Sequence, residues 1–128
     1  MIDGTRCVMM LDDATSPRET IHMLLRPTGL AIRRAADTSE ALDLLSGESV
    51  DLVLVDLHQS GPHGVDLVRA IRETPRGRIV PVLVLTADWR GRFQEDLTMA
   101  GATAVLQKPS PPLVIRNQVL ELLGMPVF

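Results

Sequence analysis

Residues 51–64 read DLVLVDLHQSGPHG. Leu52, Val53, Leu54 and Val55 are four apolar residues in succession, as in a strand buried on both faces. The run ends on Asp56, a residue type seldom buried without a partner. Such a strand needs cover on both sides. The rest of the chain must provide that cover and account for a carboxylate at the tip of a core strand.

Working outward, short apolar runs alternate with helical periodicity. CVMML (Cys7–Leu11) reads as the first strand. SPRE (Ser16–Glu19) is a helix start, with Ser as cap, Pro at the first helical position and Glu closing a capping box. That helix should stop near Pro27–Gly29. LAIRRA (Leu30–Ala35) reads as a more exposed strand, suited to a sheet edge. Asp37–Gly47 reads as a short helix with Ala41, Leu42 and Leu45 on one face. Leu52–Asp56 is the third strand. A helix marked by Val65, Val68 and Ile71 follows, broken at Pro75–Gly77. VPVLVLT (Val80–Thr86) is the fourth strand. Phe93, Leu97 and Ala100 mark a helix ended by Gly101. TAVLQ (Thr103–Gln107) is the fifth strand. A last helix runs from about Pro112 to Leu123, with Ile115, Val119 and Leu122 on its apolar face. This alternation predicts an α/β fold: a flavodoxin-like, doubly wound, five-stranded parallel sheet in the order 2-1-3-4-5, with five helices.

In an open parallel sheet, sites form beyond the carboxyl ends of the strands, at the switch point between strands 1 and 3. Asp12 and Asp13 follow strand 1, Asp56 ends strand 3, Thr86 ends strand 4, and Lys108 follows strand 5. Alone, each is ordinary. An Asp after a strand is usually a turn residue, a Lys there is usually solvated, and Thr is common in strands. Together they gather three carboxylates, a hydroxyl and an ammonium at one spot. Three close carboxylates repel, and a hard divalent cation with oxygen ligands such as Mg²⁺ relieves this. Lys and Thr then suit an anion opposite the metal. An Asp nucleophile, a cation and a phosphoryl anion suggest an aspartyl phosphate.

The chain resembles the receiver domain of bacterial two-component response regulators over nearly its whole length. The resemblance rests on MLDDA (Met10–Ala14), LVLVD (Leu52–Asp56), Gly64, VLVLTA (Val82–Ala87) and GATAVLQKP (Gly101–Pro109), in this order and spacing. It implies that Asp56 is the phosphoacceptor, taking a phosphoryl group from a kinase phosphohistidine. It implies that Asp12, Asp13, Asp56 and the backbone carbonyl of His58 hold Mg²⁺. Thr86 and Lys108 would each contact a phosphoryl oxygen, and the Lys108–Pro109 peptide bond would be cis. The implied partners are a sensor histidine kinase or phosphotransfer protein and a downstream effector. The resemblance implies a signalling module, not an enzyme, although it assists its own phosphotransfer and dephosphorylation. Homodimerisation is left open. The chain departs from the family at Gln59 and Ser60, where many members have Met-Pro, and at Ser110, where a Phe is common. Val105 stands where the family often has Tyr or Phe. Output is therefore expected to run through residues 87–92, Trp89 and the adjacent helices instead of an aromatic rotamer.

The bulk numbers agree with this class. The 128 residues fit one domain, 1–128, and are 45% hydrophobic and 23% charged. The net charge is −3 and no Lys/Arg block stands out, which argues against direct nucleic-acid binding. The single cysteine, Cys7, lies in an apolar run and reads as a buried thiol. MIDGTR does not read as a signal peptide, and no apolar stretch is long enough to span a membrane, so a cytoplasmic location is expected. A haloacid dehalogenase-type phosphatase would want a second Asp where His58 stands. A flavodoxin-like cofactor carrier would want a Ser/Thr/Gly loop where Asp12 and Asp13 stand. The alternative that keeps the fold is a degenerate receiver, a phosphorylation-independent interaction module. His58 and His63 lack further nitrogen or sulfur ligands and read as loop polarity.

Overall fold

The computed structural model describes residues 5–12, 24–47, 49–57, 63–87 and 93–127. Five strands form one parallel sheet: β1 Cys7–Asp12, β2 Ala31–Ala35, β3 Leu52–Leu57, β4 Val82–Thr86 and β5 Ala104–Gln107. Their order is β2-β1-β3-β4-β5, as the alternation predicts. Four α-helices are described: α1 Thr38–Gly47, α2 His63–Arg72, α3 Gln94–Ala100 and α4 Pro112–Leu122. A 3-10 turn at Arg26–Thr28 ends on Gly29, whose φ of 82° is left-handed. Five helices were expected. Most of the one that should open at Ser16 lies outside the described residues, and its expected end is this turn.

Alternate residues of a strand point to opposite faces, and two cores follow from that period. On one face Met9, Leu11, Val53, Val55, Leu57, Val82 and Val84 pack with Ala41 and Leu45 of α1, Val65, Val68 and Ile71 of α2, and Leu97 of α3. On the other, Val8, Met10, Leu52, Leu54, Leu83 and Leu85 pack with Leu25, Leu30, and Val119 and Leu120 of α4. Every residue of β3 and β4 is buried, which is why these strands read as unbroken apolar runs. Arg33 and Arg34 are exposed on β2, at the sheet edge.

Some boundaries shift from the expected ones. β4 begins at Val82, not Val80, because the Val80 carbonyl accepts from the Arg72 guanidinium and Pro81 has no N–H. The Pro81 carbonyl still accepts from Val53 N–H at 2.9 Å. β5 begins at Ala104, one residue later than expected, with the Thr103 hydroxyl accepting from Val82 N–H at 3.0 Å. β2 starts at Ala31 and β3 continues one residue past Asp56.

Candidate functional site

The sheet register assembles the site. Asp12 is the Cα partner of Asp56 across β1 and β3. Leu57, next to Asp56, pairs with Thr86 across β3 and β4, and Thr86 pairs with Gln107 of β5. Lys108 N–H then donates to the Thr86 carbonyl at 2.8 Å, so Lys108 leaves the sheet directly beside Thr86. The ends of four strands thus lie together, with Asp12, Asp56 and Thr86 on three of them and Lys108 directly after the fourth.

Asp56 is 6% exposed and Thr86 3%, and among the described residues they are the buried polar ones. The Lys108 ammonium forms an ion pair with Asp56 Oδ1. A carboxylate taken from water needs a partner charge and hydrogen bonds. Lys108 supplies the charge, and so β3 can carry an acid next to its last residue. The Lys108–Pro109 peptide bond is cis. Beyond Lys108, a recess of ≈ 450 Å³ is lined by Leu85, Ala87, Lys108, Pro109, Ser110 and Ile115. The Ser110 hydroxyl donates to the Gln107 carbonyl at 2.5 Å, closing the turn that follows β5.

The chain is similar in sequence and fold to known proteins. A family model for the response regulator receiver domain matches residues 8–120. The chain belongs to this family. It is 29% identical to the chemotaxis protein CheY of Pseudomonas aeruginosa over 113 residues, 88% of this receiver and 91% of that protein. It is 32% identical over 119 residues to the sensory/regulatory protein RpfC of Xanthomonas campestris pv. campestris, covering 91% of this receiver but only 16% of that larger protein. The crystal structure of the receiver domain of sensor histidine kinase PA1611 from P. aeruginosa PAO1 has magnesium ion coordinated in its active site cleft. It superposes with a TM-score of 0.80 at 24% identity, covering 94% of this receiver and 99% of that chain.

The expected site residues fall as follows. Asp56, Thr86 and Lys108 are brought together, and Asp12 is aligned with Asp56 along the backbone. Asp13, His58, Gln59, Ser60 and Trp89 lie outside the described residues. His63 is exposed at the start of α2. Val105 is half-buried on β5 and packs against the core on the α3 side of the sheet. Among the described residues no helix is long and apolar enough to cross a membrane.

Two contacts that support the site were not anticipated, one of them at Gly64, a residue of the motif. Gly64 packs directly on Leu57: an added Cβ would lie 2.2 Å from Leu57 Cδ1, so the Leu57 side chain would have to move. The lack of a Cβ lets α2 close on the residue that follows Asp56. Arg72, at the end of α2, uses all five of its N–H donors. Nε and Nη2 reach the Gly101 carbonyl at 2.9 and 2.7 Å, and Nη2 also reaches Thr103 Oγ1 at 3.3 Å. Nη1 donates to the Gly77 carbonyl at 2.8 Å and to the Val80 carbonyl. Burial lowers the Arg72 pKa from its ordinary value. The only sequence sign of this network is an arginine three residues before Pro75.

Proposed function

We propose that this receiver is a phosphorylation-dependent switch in which Asp56 takes a phosphoryl group from the phosphohistidine of a sensor kinase or phosphotransfer protein. The observation that carries the reading is the buried Asp56 carboxylate on β3, one residue before its end, paired with Lys108 and flanked by the strand bearing Thr86. An Asp56 oxygen attacks phosphorus in line, the P–N bond breaks, and its electron pair returns to the imidazole. Lys108 faces Asp56 and is placed to transfer its contact to a phosphoryl oxygen as charge moves there. The Thr86 hydroxyl would donate to another.

The donor set fits magnesium, being hard oxygen ligands centred on two carboxylates whose Cα atoms are paired across adjacent strands. Asp12, Asp13, Asp56 and the His58 carbonyl would hold the ion, which when bound neutralises phosphoryl oxygen charge. The same residues would assist hydrolysis of the aspartyl phosphate, so the domain promotes its own reset without being an enzyme in the usual sense. We place the whole chain, 1–128, in one receiver domain acting in the cytoplasm, with an effector read through α3, β5 and α4. Val105 is β-branched and short, so it offers no aromatic rotamer to carry the output.

The test is intact-mass analysis after incubation with a small phosphodonor. Wild type should gain one phosphoryl group only with a divalent cation, and Asp56→Ala should gain none. Stoichiometric labelling of the Ala variant would overturn the assignment. A wild type that gains no phosphate would favour the degenerate-receiver reading.

A further inference from the structure

We propose that Ser110 is a positioning residue for phosphoryl transfer at Asp56: its hydroxyl holds the turn from which Lys108 reaches that carboxylate. Residues 107–112, Gln-Lys-Pro-Ser-Pro-Pro, carry the chain from the end of β5 to the start of α4. A proline has no N–H and a side chain that donates nothing. Of residues 109–112, Ser110 is therefore the one that can donate a hydrogen bond at all. A Ser this close to a helix start commonly caps the first turn. Here the cap position is Pro111, which makes no side-chain cap bond. The Ser110 hydroxyl instead turns back and donates to the Gln107 carbonyl at 2.5 Å.

That bond crosses a turn anchored on both sides. Upstream, Lys108 N–H donates to the Thr86 carbonyl at 2.8 Å, next to the Thr86–Gln107 pair of β4 and β5. Downstream, the Pro111 carbonyl accepts from Val114 N–H at 2.9 Å and from Ile115 N–H at 3.3 Å, which fixes it to the first turn of α4. Between these anchors, the bond from Ser110 to Gln107 spans the residue that carries the ammonium. From there the Lys108 side chain passes β4 to meet Asp56 on β3. Its four-carbon stem is flexible, and ordering it costs rotamer entropy. A turn held on both sides of Lys108 limits the directions in which the stem can leave, so less freedom is lost when the ammonium meets its partner. Lys108 and Ser110 are both half-buried and line the same recess, so the hydroxyl acts within one wall of the site.

The inference rests on the reading of Asp56 as phosphoacceptor, and the experiment keeps the two apart. Ser110→Ala removes the donor and little volume, and Ser110→Thr keeps a hydroxyl. Lys108 is the only lysine of the chain, so its side-chain ammonium gives a single NMR resonance. In the unphosphorylated proteins, that resonance should coincide in wild type and Ser110→Thr. In Ser110→Ala it should move toward its position in the urea-unfolded chain. With Mg²⁺ and a small phosphodonor, phosphoryl uptake followed by intact mass should be about two- to ten-fold slower in Ser110→Ala, the range that one net hydrogen bond sets. Ser110→Thr should restore the wild-type rate, and the Mg²⁺ concentration at half-maximal rate should be the same in all three. A wild type that takes up no phosphoryl group would count against the function proposed above, and the resonance alone would then decide the role of Ser110. A Ser110→Ala resonance that coincides with wild type would overturn that role. So would a Thr variant that behaves as Ala does, or slow uptake that more Mg²⁺ abolishes.

Discussion

Replacing Arg72 by Met removes the five hydrogen bonds of its guanidinium while keeping most of the stem. A net hydrogen bond contributes about 0.5–1.5 kcal/mol, and more when one partner is charged. The carbonyls of Gly77 and Val80 belong to buried residues, and each loses a charged donor without ready access to water. Those two bonds should contribute about 1 kcal/mol each. The fork on Gly101 is half-exposed and should add about 1 kcal/mol for the pair. Thr103 is exposed, and water replaces that bond at little cost. Arg72→Met should therefore destabilise by about 3 kcal/mol, or roughly 10 °C in Tm for a domain of this size. Arg72→Lys keeps the charge but has three donors and no fork, and should fall about midway. Urea unfolding followed by circular dichroism measures both, with an unchanged m-value showing that stability alone has moved. A Met variant within about 0.5 kcal/mol of wild type, the range of an ordinary surface change, would refute the reasoning. So would a Lys variant indistinguishable from Arg.

Leu54 is fully buried at the centre of β3, and Leu54→Ala should cost about 2–5 kcal/mol in the same assay. Gly64→Ala should cost about 1–3 kcal/mol by overpacking against Leu57, and NMR should show the Leu57 methyls displaced. Cys7 is a buried thiol and should react with an aromatic disulfide reagent only when the protein unfolds; rapid stoichiometric reaction of the native protein would contradict its burial.

The sheet was legible because β3 and β4 are covered on both faces, which forces continuous apolar sequence, while the edge position of β2 lets Arg33 and Arg34 remain. The site was legible because parallel strands deliver their final residues to one edge, so Asp56, Thr86 and Lys108 could be placed from strand ends alone. The start of β4 was misplaced by two residues, although Pro81 already signalled that a ladder donor was missing. The Arg72 network was not legible. Four of its five bonds go to backbone carbonyls, which carry no residue signature, and Gly101 and Thr103 lie 29 and 31 positions away. The closeness of Gly64 to Leu57 was hidden for a related reason: a turn glycine and a glycine excluded by packing look the same in sequence.

The central claim is that the phosphoryl group is carried on the Asp56 carboxylate. Borohydride reduces an acyl phosphate to an alcohol, converting phosphoaspartate to homoserine, and leaves phosphoserine and phosphothreonine untouched. Treating the Mg²⁺- and phosphodonor-incubated protein with borohydride, then sequencing its peptides by mass spectrometry, should show homoserine at position 56 and at no other aspartate. Homoserine at position 12 or 13, or a phosphoryl group that survives reduction on a hydroxyl side chain, would contradict the account.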